Sequence, residues 1–463
     1  GALAGYVVDR ALLGGRQHYE GPRLSAARPF SGEEGAPLPR LYGTVRTGGT
    51  LIWATRFEET STTERQGGKG GPKVTTYNYF ANVAFALCEG EIAGVRRIWA
   101  DGREVDQSKV NIRIYRGTDD QMPDPLIEAK QGAGNAPAYR GTAYAVIDRM
   151  PIDDYGRRIP QFQFEVMRPV GALNPSIGSV ALIPGSTEFG LSPQAVKIME
   201  RPGQHVLVNR NALSAESDLE ASLDELQALF PNLKTISLVV SWFGTDLRAG
   251  NCQIKPMVVS HGNEALPNPW GPIWDMMGIH ATFTRLLFGG EGAKWCVSGV
   301  ERNDAQIVSS TEEGAAYGGT PSDNTVIAAI RAIRARGLKV WLYPFVMMDV
   351  PADNNLPDPF GGPRQPAYPW RGRVTSFPAP GQPASADKTA AAGAQVQALL
   401  GAAAPADYVR DEATIAFNGA PGDWGYRRFL LHYAHLAAAA GGVDGFLIGS
   451  ELRGLTRLRD GMG

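Results

Sequence analysis

The chain has 463 residues, 43% of them hydrophobic, and its 45 basic and 47 acidic side chains give a formal net charge of -2. This length allows two or three domains with sizeable cores, and the balanced charge gives no general reason to bind nucleic acid or an anionic membrane. The 56 glycines and 33 prolines follow no repeat, so they indicate many turns and long loops rather than collagen or disorder.

Residues 1–35 are predicted to form an N-terminal arm. Its first eight residues are mostly apolar, but the run is too short to span a bilayer and lacks the basic start of a signal peptide. At the other end, the sequence stops at Gly463 in what is predicted to be the start of a helix. We expect both ends to be cut from a longer polypeptide that continues past Gly463.

Residues 36–170 are predicted to form an antiparallel β domain. Its clearest strand spans residues 74–88, where a strict period of two with aromatic rings on one face indicates a long, half-buried strand. The linker at 60–72 is predicted to be a hairpin tip, and its glycine-rich part at 67–71 lacks the GK[ST] ending of a phosphate-binding loop. Further strands are predicted at 51–58, 95–99, 111–116, 142–147 and 161–167.

After residue 170 the apolar spacing changes to that of helices alternating with strands. Residues 171–232 are predicted to form a connector whose helix begins with a capping box at Ser217 and Glu220. Residues 233–463 show helices that end at glycines before apolar runs, which is the pattern of βα units around a parallel sheet. About four such units fit after residue 233, so we predict an incomplete (β/α)8 barrel. The predicted strands are 235–243, 338–348 and 443–450, and the predicted helices are 325–336 and 424–440.

Two further segments of this half have structural interpretations. Residues 350–387 contain nine prolines and four aromatic rings, which indicates an ordered loop that packs against the domain. Within the strand at 338–348, the run 339–348 is apolar on both faces, so the strand is predicted to lie inside a sheet covered on both sides or in a barrel. Arg331, Arg334 and Arg336 are predicted to form a solvated edge of a helix.

Three carboxylates follow the predicted strands of the second half: Asp246, Asp349 and Glu451. Because the carboxyl ends of strands build the active site of barrel enzymes, and glycoside hydrolysis requires two carboxylates, these residues are candidate catalytic residues. Acidic residues after strands also commonly cap the next helix, and Ser450 with Glu451 could do no more than that.

Aromatic residues near the same strand ends are candidate substrate-binding residues. Trp242, Tyr343 and Trp370 could form a rim on which the C–H faces of sugar rings pack. Neither a metal nor a cofactor is predicted: His432 and His435 lie three residues apart on a predicted helix, but they have no third ligand and no HExxH pattern.

The three cysteines are too few and too scattered for a disulfide framework or a zinc site. Cys88, Cys252 and Cys296 are therefore expected to be small buried apolar side chains. No GxSxG turn, Walker loop or dinucleotide-binding fingerprint follows a predicted strand.

Six strings of the sequence carry a family resemblance. They are 38–54, 73–79, 86–92 and 97–102 in the first half, and 239–247 and 444–453 in the second. These strings resemble the large baseplate hub protein of Rhodobacter-type gene transfer agents and the host-specificity tail-tip proteins of related siphophages. The second half is similar to the TIM-barrel-like domain of that family.

The resemblance implies a virion protein assembled in the bacterial cytoplasm. Three copies are expected to close the distal end of the tail tube, in contact with distal-tail, tail-tube and other baseplate proteins. DNA is expected to pass through this hub without sequence-specific binding. The barrel of the family is glycosidase-like, and in such barrels the acid/base residue follows the fourth strand, where Glu451 would fall.

The predicted fold class is α+β multidomain, with an N-terminal antiparallel β hub domain followed by a partial TIM-barrel-like (β/α) domain. Three functions remain open. The first is a structural baseplate hub that participates in cell attachment and DNA delivery. The second is a tail-associated glycoside hydrolase that acts on a surface glycan or peptidoglycan. The third is a barrel that binds carbohydrate without cleaving it.

Overall fold

The computed structural model of the chain describes residues 18–20, 37–65, 73–183, 186–201, 204–261 and 294–461. The chain divides into two compact units, one made of Gly1–Asn174 with Leu213–Ala215 and the other of Pro175–Ala212 with Glu216–Gly463. Most of the segment predicted to be a connector, 171–232, thus folds with the second unit. In the described part of the chain, no helix combines the length and the apolar character needed to cross a bilayer.

The described residues of the first unit form two β-sheets. One has six strands in the order β1-β5-β9-β8, with β3 and β4 also paired to β5, and the other has the order β2-β10-β6-β7. All pairs are antiparallel except that of β1 with β5. The elements are β1 (His18–Glu20), β2 (Gly43–Gly48), β3 (Thr50–Ala54), β4 (Glu58–Arg65), β5 (Lys73–Glu89), β6 (Gly94–Ala100), β7 (Arg103–Glu104), β8 (Asn111–Tyr115), α1 (Pro125–Gln131), β9 (Thr142–Pro151), a 3-10 helix at Asp153–Tyr155 and β10 (Phe162–Arg168).

Strand β5 lies at the centre of the first core. From residue 81 to residue 88 every side chain is buried, so this half of the strand is covered on both faces rather than on one as predicted. One face packs Phe85 into the larger apolar cluster. On the other face, Ala84 packs with Tyr144 and with Ile127 of α1. The sequence pattern did not show this second face because its alanines carry little apolar surface.

The hairpin before β5 is longer than predicted. Strand β4 pairs with β5 without interruption from Glu58 opposite Phe80 to Arg65 opposite Lys73. The threonines of the predicted linker therefore form strand, in keeping with the preference of β-branched residues for extended backbone. The glycine-rich segment 67–71 lies outside the described residues.

The second unit alternates helices with strands of a parallel sheet and carries several short β pairs. Its elements are α2 (Leu173–Ser176, at the boundary), β11 (Ser179–Leu182), β12 (Lys197–Arg201), β13 (Gln204–Leu207), α3 (Asp218–Leu229), β14 (Thr235–Gly244), β15 (Ile254–Lys255), β16 (Met257–Val258), β17 (Cys296–Val297), β18 (Val300–Glu301), a 3-10 helix at Arg302–Asp304, β19 (Gln306–Ile307), β20 (Ser310–Thr311), β21 (Gly314–Ala315), α4 (Asp323–Ala335), β22 (Lys339–Met348), a 3-10 helix at Arg371–Arg373, α5 (Ala390–Leu400), a 3-10 helix at Pro405–Asp407, β23 (Tyr408–Arg410), β24 (Ile415–Phe417), α6 (Tyr426–Ala439), β25 (Gly445–Phe446) and α7 (Arg453–Thr456).

The main sheet of this unit has the order β11-β14-β22-β25, with β15 paired to β14. The four strands of that path run parallel, and β15 runs antiparallel. Among the described residues only three of the parallel strands follow residue 233, where about four βα units were predicted. The remaining parallel strand, β11, lies in the segment predicted to be a connector. It was not predicted as a strand because four residues are too short to show a period.

The core of the second unit lies between this sheet and the helices α3, α4 and α6. Leu223 of α3, Ile330 of α4 and Phe429 of α6 are buried in it together with the apolar residues of β14 and β22. Strand β22 alternates buried with partly exposed side chains, and Trp341 on the second face retains 47% of its surface, so the described residues do not cover both faces of the strand. The other predicted position, inside a barrel, stays a prediction.

Of the three arginines predicted to form a solvated edge, Arg331 and Arg334 are exposed, as predicted, and Arg336 is partly buried; all three also bond to neighbouring elements. Arg331 and Arg334 donate to backbone carbonyls at and just beyond the end of α6, at 2.9 and 2.7 Å. Arg336 pairs with Glu220 and with Asp224 of α3. These contacts connect the end of α4 to α6 and to α3. At the end of α6, the arginines donate to backbone carbonyls that have no partner within the helix.

Candidate functional site

The three predicted catalytic carboxylates follow neighbouring strands of the parallel sheet. Asp246 lies just after β14, Asp349 directly after β22 and Glu451 shortly after β25. In the described part of the chain, β25 is the fourth strand of this parallel sheet in chain order. It is shorter than the predicted strand 443–450, because only Gly445 and Phe446 pair with β22 and the backbone hydrogen bonds to β22 extend no further than Leu447.

Asp246 is held by partners of its own. Its carboxylate forms an ion pair with Arg248 at 2.7 Å and accepts a hydrogen bond from the side chain of Gln365, also at 2.7 Å. This pairing raises the pKa of Arg248 above its usual value. Only 4% of Asp246 is exposed. The residue therefore anchors the proline-rich loop, in which Gln365 lies, to the end of β14.

Asp349 is also enclosed. It is 6% exposed and accepts hydrogen bonds from the backbone N–H of Ser309, at 3.0 Å, and from the Ser309 hydroxyl. Burial and, to a smaller extent, the charge of Asp349 raise the pKa of nearby Tyr317 to about 12. Like Asp246, Asp349 fixes the chain at a strand end and offers little surface to a substrate.

Glu451 differs from the other two carboxylates because 53% of its side chain is exposed. Its Oε2 atom accepts a hydrogen bond from the indole N–H of Trp370 at 3.0 Å and lies 2.9 Å from Nη2 of Arg371. The backbone of Glu451 is in the left-handed region, with φ of 54°. The structure thus brings together two predicted site residues, Glu451 and Trp370, and adds Arg371, which the sequence analysis missed.

Arg371 lies at the centre of this group. Its guanidinium donates to the carbonyl of Ser450 at 3.2 Å and to the Ser450 hydroxyl at 3.0 Å, and it lies over the ring of Phe345 at 3.2 Å. Burial lowers the pKa of Arg371, an effect that the charge of Glu451 opposes. Tyr343, a predicted sugar-contacting residue, donates its hydroxyl to the same Ser450 hydroxyl at 2.5 Å. Tyr343 therefore helps to hold the Ser450 hydroxyl that Arg371 also contacts.

Trp242 lies elsewhere, and its prediction as a substrate-binding residue disagrees with the structure. The ring is completely buried and packs against Trp424, Phe429 and Tyr433, with ring centroids 5.7 to 6.2 Å away. Trp242 shares a strand face with Val240, which packs in the same core. The ring therefore points toward the helices and has no surface for a sugar.

His432 and His435 do not form a shared site. The imidazole of His432 is buried, with Nε2 3.0 Å from Oδ1 of Asp323 at angles that do not make a hydrogen bond. His435 stacks on Tyr408 with ring centroids 4.8 Å apart. Among the described residues, no group of three or more His, Cys, Asp or Glu side chains could hold a metal ion.

The three cysteines are unpaired. Cys88 and Cys252 are buried, as predicted, whereas Cys296 is partly exposed. Burial raises the pKa of the Cys252 thiol to about 11, which leaves it protonated and unreactive at neutral pH.

The chain was compared with known proteins. Residues 424–463 match the sequence model of the GTA TIM-barrel-like domain. A chain from the virion of a native gene transfer agent (GTA) particle is 42% identical over a region that covers 40% of this chain and 42% of that chain, with a TM-score of 0.27. The region spans less than half of that virion chain. No curated protein matches the chain.

The matched segment contains α6, β25 and the residues Ser450 and Glu451, so it includes one side of the group around Arg371. The chain is a mixed α/β protein with two mostly antiparallel sheets among the described residues of its first unit, short antiparallel pairs in its second, and a segment matching a TIM-barrel-like domain at its C-terminal end. The resemblance to gene transfer agent tail proteins that carry a TIM-barrel-like domain is confirmed by the match of residues 424–463 and by the 42% identity to the virion chain.

Proposed function

We propose that this chain is a structural protein of a gene transfer agent or siphophage-like particle and forms part of its tail tip. The observation that carries the proposal is the match of residues 424–463 to the GTA TIM-barrel-like domain. The strings of the first unit that resemble baseplate hub and tail-tip proteins support the same assignment.

In its finer form, the proposal is a baseplate hub of three copies at the distal end of the tail tube. The β-rich first unit forms the hub, and the TIM-barrel-like domain follows it in the chain. The hub contacts distal-tail, tail-tube and other baseplate proteins and takes part in cell attachment and DNA delivery. The net charge of -2 suits this role, because a conduit through which DNA slides should neutralise few phosphates.

A deletion strain tests the proposal. Particles from the parent strain are expected to contain the chain by mass spectrometry, whereas a strain without the gene should release particles that lack a tail tip and transfer no DNA. Complementation with the intact gene should restore both properties. Particles that have normal tail tips and normal transfer in the absence of the chain would overturn it.

We propose as a second function that the site around Glu451 binds carbohydrate without hydrolysing it. Of the three candidate carboxylates only Glu451 has an exposed side chain, since Asp246 and Asp349 are enclosed by their own partners. Glycoside hydrolysis requires two available carboxylates, about 5–5.5 Å apart for retention or 6.5–9.5 Å for inversion. A binding site needs only one acceptor beside an exposed aromatic ring.

The two alternatives are separated by comparing the wild-type chain with Glu451→Gln on purified peptidoglycan. For a binding site, neither protein releases reducing ends, and the variant sediments with the glycan less than the wild type does. Release of reducing ends by the wild type and not by the variant would contradict the binding function and support the hydrolase.

A further inference from the structure

Three consecutive loop residues, Trp370, Arg371 and Gly372, belong to the group around Glu451. Arg371 is the one that joins the two chain segments, because its guanidinium contacts both the carbonyl and the hydroxyl of Ser450 as well as the carboxylate of Glu451. Its own side chain is only 5% exposed. Arg371 therefore cannot present its charge to a ligand and acts on the site through Glu451.

Gly372 fixes the position of the Trp370 ring. A Cβ atom on Gly372 would lie 2.4 Å from two carbon atoms of the Trp370 ring, so the indole rests directly on the glycine backbone. The indole N–H is directed to Glu451 at 3.0 Å. Trp370 nevertheless keeps 49% of its surface exposed. One face and one edge of the ring are held, and the rest is open to solvent.

The exposed groups define the ligand that fits. Both contacts to Glu451 use Oε2, which leaves the exposed remainder of the carboxylate to accept hydrogen bonds from ligand hydroxyls. The exposed part of the Trp370 ring offers an apolar surface for the C–H face of a sugar. An anionic sugar group that contacts the exposed carboxylate oxygen of Glu451 would place two negative charges side by side, so the surface suits a neutral sugar.

We propose that Arg371 is a positioning residue that, with Gly372, holds Glu451 and Trp370 as a platform for a neutral saccharide. The proposal rests on the second proposed function, carbohydrate binding at this site. It adds which residues organise the platform and which charge class of sugar it accepts.

The positioning is tested first without ligand, on the full chain labelled with ¹⁵N at the tryptophan indoles. The indole N–H resonance of Trp370 is assigned by its loss in Trp370→Phe. We expect this resonance to move in Arg371→Gln and in Glu451→Gln, because the acceptor of the indole proton is released or loses its charge. Arg373→Gln is the matched control, since Arg373 lies in the same 3-10 turn but over Phe360. An unmoved resonance in Arg371→Gln would overturn the positioning role.

Ligand binding is tested by calorimetric titration with chitohexaose, a neutral hexasaccharide of N-acetylglucosamine, and with anionic hexagalacturonate. The wild type and Arg373→Gln should bind chitohexaose equally and leave hexagalacturonate unbound. Arg371→Gln should bind chitohexaose about 10- to 100-fold more weakly, the scale of one lost hydrogen bond to a charged group, and Arg371→Lys should fall between them. Preference for hexagalacturonate would overturn the neutral ligand class.

The resonance measurement and the calorimetric titration distinguish a failure of the positioning role from a failure of carbohydrate binding. If Arg371→Gln unfolds, Gly372→Ala provides the test, because it leaves every charge in place and displaces only the ring of Trp370; it should weaken binding and move the indole resonance. Equal affinity of Gly372→Ala and the wild type would overturn the platform. Absence of any binding by the wild type, with the indole shift present, would overturn the carbohydrate function while the positioning role stands.

Discussion

Replacement of Trp242 by alanine tests whether this residue belongs to the core or to a ligand surface. The side chain is fully buried and contacts the rings of Trp424, Phe429 and Tyr433. Truncation of a buried Trp to Ala typically costs about 3–5 kcal/mol, because apolar contact is lost and a cavity remains. The absence of exposed surface at Trp242 places the expected loss at the upper end of that range, about 4–5 kcal/mol.

Trp341 provides the matched control, because it is a tryptophan on β22 of the same sheet with 47% of its surface exposed. Since about half of its surface already contacts water, Trp341→Ala should cost roughly half as much, about 2 kcal/mol. The assay is urea unfolding of the full chain followed by circular dichroism, with the midpoint of the second unit's transition compared between variants. Equal destabilisation by the two substitutions, or loss of glycan binding by Trp242→Ala without destabilisation, would refute the assignment of Trp242 to the core.

Three further predictions concern residues that tie this unit together. Arg336→Gln should lower the free energy of unfolding by about 1 kcal/mol, because it removes the ion pairs between α4 and α3; an unchanged urea midpoint would contradict this. Asp246→Asn should destabilise the unit on the order of 3 kcal/mol, because it breaks the buried ion pair with Arg248. It should also speed proteolysis within residues 350–387, and an unchanged cleavage rate would show that Asp246 does not anchor this loop. Burial, followed by the charge of Arg410, lowers the pKa of His435 below its usual 6.5, so the unfolded chain binds more protons and stability should fall as the pH decreases below that value. His435→Gln should flatten this part of the pH dependence, and an identical pH profile would exclude His435 as its source.

The long elements could be predicted from periodicity because their apolar spacing is governed by the faces they bury. The ends of strands β5, β14 and β22 and of helices α4 and α6 all lie within two residues of their predicted positions. Strand β11 was missed because four residues show no period, and β4 was missed because its threonines are polar. The sequence also did not show that α1 covers the alanine-rich face of β5.

The candidate site was predictable only in part. Glu451 could be found because it follows an apolar strand of a βα pattern, and Trp370 because it is an aromatic residue in a long loop. Arg371 could not be found, since its partner Ser450 lies 79 residues away and an arginine in a loop shows no spacing rule. The burial of Trp242 was available from the sequence, because its face of β14 is set by alternation with Leu238 and Val240.

The most direct test of the structural role is electron cryomicroscopy of intact particles whose copies of this chain carry a small fused tag. The proposed function predicts three copies of the tag around the axis at the distal end of the tail, with the chain in contact with the last ring of tail proteins. Tag density on the capsid or along the tail shaft, or a single off-axis copy at the tip, would contradict the assignment of this chain as the hub.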